Sequence, residues 1–176
     1  PIISPEAPII GTGLEERVAR DSGMMVIANE SGIIEEADGS RLVLKTSDGG
    51  KIAYDLLKFN KSNSFTAINQ RPIVKAGQKV KKGDVLADGP ATNGGELALG
   101  RNLVVAFMSF EGANFEDAVV LSEKSVREDL FTSIHIEDYS LDVRETKLGP
   151  EITTYDIPNR SEEKLKNLDP DGIVRI

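Results

Sequence analysis

The sequence has no cysteine, no tryptophan and one histidine, His135, in 176 residues. Without cysteine there are no disulfides, no thiolate metal sites and no thiol nucleophile. One histidine rules out His-rich metal sites and makes a Ser-His-Asp triad improbable. His135 lies in an alternating apolar stretch, which reads as structural more readily than as catalytic, although imidazole titrates near neutral pH. Aromatic residues make up only 5% of the chain, so Val, Ile and Leu must fill the interior. Positive charge is also short: 21 Lys and Arg stand against 29 Asp and Glu, a net charge of -8. That balance argues against a free-standing binder of nucleic acid or anionic membrane. It fits a soluble protein, a metal-dependent site, or part of a complex whose basic surfaces lie elsewhere. No apolar run approaches the roughly 20 residues of a membrane span, and no signal-peptide pattern is visible. The chain starts at Pro1 and stops at Ile176 in mid-strand pattern, as an excised piece would.

Glycine and proline are plentiful, at 16 and 8 residues. A chain of this length holds one large domain or two small ones, and this composition favours short strands joined by turns. The fold expected is α+β and mostly β, with a few short helices. Residues 1–8 read as an extended arm. Thr12 and Gly23 bracket a short helix. Gly11-Thr-Gly13 could also cradle an anion, but no P-loop lysine follows and Glu15 and Glu16 would repel phosphate, so a structural turn is preferred. Turns at Ser31-Gly32, Asp38-Gly39-Ser40 and Ser47-Asp48-Gly49-Gly50 separate short strands in a β-meander. Lys58 and Lys61 interleave with Phe59 and Phe65, a pattern that can track single-stranded nucleic acid, though a solvated loop is the simpler reading. Gly77 and Gly83 predict two tight turns around Val80 and then a buried strand at 85–87. This last pattern recurs in biotinyl and lipoyl carriers, but no lysine sits between apolar neighbours at a hairpin tip.

The sharpest feature follows. Residues 103–108 form the most apolar strand candidate, a turn is expected at Glu111-Gly-Ala-Asn114, and Glu116 and Asp117 come next, ahead of a second apolar run at 118–121. Carboxylates between two core elements are costly to bury without partners. Neighbours in a strand point to opposite faces, so both can reach one ligand only if the backbone turns there. Hard cations such as Mg²⁺ take oxygen ligands and often use one or two protein carboxylates plus substrate phosphates. The plainer reading is a cap on the next helix, or a salt bridge to Arg101 or Lys124, and residue chemistry alone leaves both open. Ser122 is expected to cap a helix through about Asp129, residues 131–141 to form a long strand, and Ser161 to cap a last helix at 162–168.

The strings Lys82-Gly-Asp-Val-Leu-Ala-Asp-Gly-Pro90, Gly95-Glu-Leu-Ala-Leu-Gly-Arg-Asn102, Val105-Ala-Phe-Met108 and Asn114-Phe-Glu-Asp117 resemble the β subunit of bacterial DNA-directed RNA polymerase. Gly11-Thr-Gly-Leu-Glu15, Phe131-Thr-Ser-Ile-His-Ile136 and Thr146-Lys-Leu-Gly-Pro-Glu151 match in the same order. One departure is visible: the family commonly has two Glu after the Gly-Pro, where this chain has Glu151 alone. The resemblance implies an internal piece of that subunit, between the rifampicin region and the flap. It implies an arm and short helix at 1–22, a barrel/sandwich hybrid β region at 23–99, part of a double-psi β-barrel at 100–146, and a peripheral extension at 147–176. It further implies that Asp117, with Glu116 adjacent, helps place the second Mg²⁺ and the triphosphate of the incoming nucleotide. The primary metal would be held by an Asp triad on β′. Implied partners are the α, β′, ω and σ subunits, with DNA template, RNA and NTPs, in the bacterial cytoplasm at the nucleoid and with no membrane. The isolated piece would be inactive. The competing readings are a lipoyl- or biotinyl-like binding module and a purely structural assembly segment.

Overall fold

The computed structural model describes residues 1–175 and resolves two compact units, Pro1–Glu137 and Asp138–Ile176. In the first unit, helix α1 (Glu15–Asp21) precedes strands β1 (Val26–Ile27), β2 (Gly32–Ala37), β3 (Arg41–Thr46), β4 (Lys51–Asp55), β5 (Asn60–Lys61), β6 (Ala67–Ile68), β7 (Arg71–Pro72), β8 (Lys79–Val80), β9 (Val85–Asp88), β10 (Thr92–Asn93) and β11 (Glu96–Leu97). The one-turn helix α2 (Lys124–Arg127) comes last. The second unit holds the two-residue strands β12 (Glu145–Thr146) and β13 (Gly149–Pro150), which pair as a hairpin, and helix α3 (Glu162–Leu165). The expectation of a mostly β chain with a few short helices holds.

An antiparallel sheet of order β4-β3-β2-β8 and a second of order β1-β9-β7 supply one apolar core. On β3, Leu42 and Leu44 point inward while Arg41 and Lys45 face solvent. Opposite them on β2, Ile34 pairs with Leu44 and Ala37 with Leu42. Strict alternation would have sent Glu36 inward. A bulge between Ile34 and Glu36 adds one residue, so both Glu35 and Glu36 stay exposed and Ala37 returns to the core. Val80, Leu86, Ala87, Val74 and Leu56 close the same cluster. The two glycine turns form as read: Gly77 and Gly83 have φ of 84° and 91°, in the left-handed region that glycine adopts freely. Gly83 N–H donates to the Ala28 carbonyl at 2.8 Å, which ties that turn to β1.

Four expected elements differ. Residues 103–108 form no strand: neither their N–H nor their C=O groups enter a ladder among the described residues. Apolar content does not make a strand without a neighbour to pair with, and Val104 and Phe107 are fully exposed. The long strand at 131–141 reduces to a single bridge between His135 and Thr66, extended by hydrogen bonds from Ala67 N–H to the Ile134 carbonyl and from Ile136 N–H to the Phe65 carbonyl. The ladder there forms against the hairpin of β5 and β6, and the Thr132 carbonyl separately accepts from Ile3 N–H at 2.9 Å. The helix after Ser122 spans one turn, and Asp129, at φ 51°, breaks it in the left-handed conformation. The last helix likewise stops at Leu165, and the Ser161 side chain makes no capping hydrogen bond.

The start of α1 also differs in detail. The helix begins at Glu15, and the Gly11-Thr-Gly13 turn does cradle an anion, but the anion is the chain's own Glu15 carboxylate. It accepts from Thr12 N–H at 2.9 Å, Thr12 hydroxyl at 3.0 Å and Gly13 N–H at 2.9 Å. The Thr12 backbone bond leads in holding Glu15 down to about 2 from an ordinary 4.5. A lowered folded-state value means that the stabilisation is present above 4.5 and is lost as pH falls through about 2.

A Cβ on Gly32 would collide with the backbone carbonyl of Lys45, whereas one on Gly39 would meet nothing within 4 Å. Urea unfolding should therefore show Gly32→Ala destabilised by about 1–3 kcal/mol, with Gly39→Ala close to the parent. Carbon-detected titration should place the Glu15 carboxyl midpoint near 2, with protection of the α1 amides falling over the same range. A midpoint at the ordinary value would refute the cradle.

Candidate functional site

The two sequence-predicted acidic residues lie on a long exposed excursion, residues 103–121. Its internal order comes from one side chain. Asn114 Oδ1 accepts from Phe110 N–H at 2.9 Å, and Asn114 Nδ2 donates to the Met108 carbonyl at 2.6 Å. Between these ends, Glu111 and Gly112 take φ of 49° and 76° and make a tight turn closed by Ala113 N–H to the Phe110 carbonyl at 2.8 Å. An asparagine that bonds the backbone on either side of a turn fits its preference for such positions.

A second turn follows at once. Ala118 N–H reaches the Phe115 carbonyl at 3.3 Å, and Glu116 sits at φ 58°, a conformation seldom adopted outside glycine. The backbone therefore does bend between the two carboxylates, which removes the restriction that a regular strand would impose. Both are exposed. This corrects the expectation that they are pinned between core elements, because the flanking apolar runs are themselves unpaired.

The plain structural roles are not realised. Arg101 pairs with Glu6 at 3.7 Å, and Lys124 with Glu128 at 3.7 Å. Among the described residues, neither Glu116 nor Asp117 has a hydrogen-bond or ion-pair partner for its carboxylate, and neither caps α2. Instead, the Ser122 hydroxyl accepts from Lys124 N–H at 3.3 Å. No group of three or more Asp, Glu, His or Cys side chains suited to a metal ion occurs among the described residues. The two carboxylates thus offer hard oxygen donors to a cation but do not enclose one.

The other candidates are spent inside the fold. His135 Nε2 lies 2.7 Å from Ser133 Oγ, and its backbone bridges Thr66. Lys58 donates to the Gln70 carbonyl at 2.7 Å and stands 6.0 Å from the Phe59 ring, while Lys61 stands 5.8 Å from that of Phe65. Asp88, which sequence reasoning did not single out, is buried and accepts from Gly94 and Gly95 N–H at 2.7 and 2.8 Å, fixing the turn between β10 and β11. The run of small residues after an aspartate was its only signal.

Among the described residues, no helix is long and apolar enough to cross a membrane. The profile of the family described as RNA polymerase Rpb2, domain 6 matches residues 27–176. Three proteins named DNA-directed RNA polymerase subunit beta are similar over all 176 residues: that of Syntrophomonas wolfei at 56% identity, that of Chloroflexus aggregans at 54% and that of Acetivibrio thermocellus at 53%. The chain spans 16%, 14% and 14% of their respective lengths.

The Asn114 bridge gives a direct test. Asn114→Ala should speed amide exchange at Phe110 and lower the backbone order parameters of residues 108–114, leaving the β2–β3 amides unchanged. Unaltered exchange at Phe110 would show that the turn stands without the side chain.

Proposed function

The chain belongs to the RNA polymerase Rpb2 domain 6 family, and from that premise we propose that it is the part of a DNA-dependent RNA polymerase β subunit that presents Asp117 and Glu116 to the metal-bound triphosphate of an incoming nucleotide. The observation that carries this reading is an acidic pair held on a bent, exposed loop with no partner of its own, in a chain 53–56% identical to β subunits throughout its length.

The donor set fits a shared Mg²⁺ and not a private one. Two exposed carboxylates supply hard oxygen ligands, and Mg²⁺ keeps waters and substrate phosphates for the rest of its octahedron. An ion held there would supply positive charge to offset the negative charge that develops on the leaving group. Asp117 would be the nearer residue to hold it, with Glu116 beside it. Their role is to orient the pyrophosphate end and to set the local charge. Phosphoryl transfer depends mostly on such positioning and charge stabilisation. The remaining parts, in this reading, come from the α, β′, ω and σ subunits, with β′ holding the first metal. Those parts would also supply the positive channel for DNA template and RNA that a chain of net charge -8 lacks. The setting is the cytoplasm, at the nucleoid. The purified 176-residue chain incorporates no nucleotide by itself.

The test is Asp117→Ala in the assembled polymerase. The half-saturating NTP and Mg²⁺ concentrations should rise, and elongation should slow, by about 10–100-fold, as for groups that tune a metal site. Glu116→Gln should act in the same direction and less strongly. Unchanged NTP KM, Mg²⁺ dependence and elongation rate in Asp117→Ala would leave a structural segment as the reading.

A further inference from the structure

Among the described residues, the hydrogen bonds of the acidic loop stay within it, so its aim is set where it leaves the fold. That exit is unusually well held. Glu6 N–H donates to the Gly100 carbonyl at 2.8 Å. Glu6 Oε2 then accepts from Asn102 N–H at 3.1 Å and lies 3.7 Å from Arg101 Nε. Asn102 Nδ2 donates to the Ala7 carbonyl at 2.8 Å, and its Oδ1 accepts from Ile9 N–H at 3.4 Å. Arg101 completes the set with a bond to the Ser4 carbonyl at 3.1 Å. The stretch from Ser4 to Ile9, which overlaps the extended arm expected at residues 1–8, is thus laced to the last three residues before position 103. From there to residue 121 no hydrogen bond reaches the sheets among the described residues.

We propose that Glu6 and Asn102 form a clamp at the root of the loop and act as positioning residues for Asp117 and Glu116. This rests on the function proposed above and goes beyond it, because it gives Glu6, in the N-terminal arm, a role at the site. Three features support a clamp over an incidental contact. It is built on both backbone and side-chain bonds, so it fixes direction as well as distance. Asn102 uses its backbone N–H and both ends of its amide on three different arm residues. Finally, the bonds from Asn102, first through its backbone N–H, hold the Glu6 carboxyl below its ordinary range, because they favour its ionised form. Small displacements of a catalytic group cost rate out of proportion to the energy of the contact that held it.

The experiment is a double-mutant cycle in the assembled polymerase, reading the Mg²⁺ and NTP concentrations for half-maximal nucleotide addition and the rate at saturation. Glu6→Ala should raise both half-saturating concentrations about threefold to tenfold, with a smaller effect on the saturated rate. Glu6→Gln, which keeps an oxygen acceptor for Asn102 N–H, should recover most of the loss. In an Asp117→Ala background, Glu6→Ala should add nothing, since its effect passes through Asp117. Should Glu6→Ala fail to assemble, Asn102→Ala enters the same cycle with the same expectation. An effect of equal size in both backgrounds, or none in the parent, overturns the clamp. Asp117→Ala without effect overturns the proposed function itself, so the two failures are told apart.

Discussion

The burial of Leu42 and Leu44 of β3 against Ile34 of β2 is the constraint from which the ordered part of the molecule follows. All three are fully buried. Their alternation with charged neighbours fixes which face of the four-stranded sheet is inside, and the bulge near Glu35 restores that phase when the sequence would have lost it. Because the inward face is set, β8 and β9 can only close the core from the Gly77 and Gly83 turns, and Val80 and Leu86 arrive where they are needed. Deleting one such leucine side chain costs about 2–5 kcal/mol, a large share of the 5–15 kcal/mol that holds a typical domain together.

The loop bearing Glu116 and Asp117 obeys the opposite logic. Among the described residues its apolar residues join no sheet and Glu116 and Asp117 pair with no basic side chain, while Asn114 bonds it from within and the Glu6–Asn102 contacts hold its root. Carboxylates left unpaired on a strained bend, φ 58° at Glu116, are poor structural investments and reasonable ligands. Under the proposed function this division is useful. The core supplies a rigid base, and the loop offers two negative charges to an ion and a triphosphate that the other subunits bring. The chain's acidity then reflects its share of a shared site.

Much of the fold was legible because turn chemistry is local. Asp38 accepts from Ser40 and Arg41 N–H, Gly49 takes φ 88°, and both lie where the Asp-Gly and Gly-Gly strings placed the meander turns. The position and bending of the acidic pair were legible only as a condition, that the backbone turn there. Three things were not legible. Residues 103–108 have the composition of a strand, but composition says nothing about whether a partner is present. The bulge in β2 changes phase through a single residue, and nothing in Glu35-Glu36 marks it. The lacing of Ser4–Ile9 onto residues 100–102 spans more than ninety positions, and a lone Glu and Asn carry no signal of a contact at that separation. The anion cradle at Thr12 was legible as a shape but not as one already filled by Glu15.

Under the proposed function, Asp117 serves the metal that carries the nucleotide triphosphate. The most direct test is a structure of the assembled polymerase with template, RNA and an incoming nucleotide bound in the presence of Mg²⁺. The account predicts an Asp117 carboxylate oxygen at about 2.0–2.1 Å from the triphosphate-bound ion, or joined to it through a single ordered water with Glu116 adjacent. An Asp117 carboxylate turned away from that ion, with neither a direct bond nor a bridging water, would contradict it.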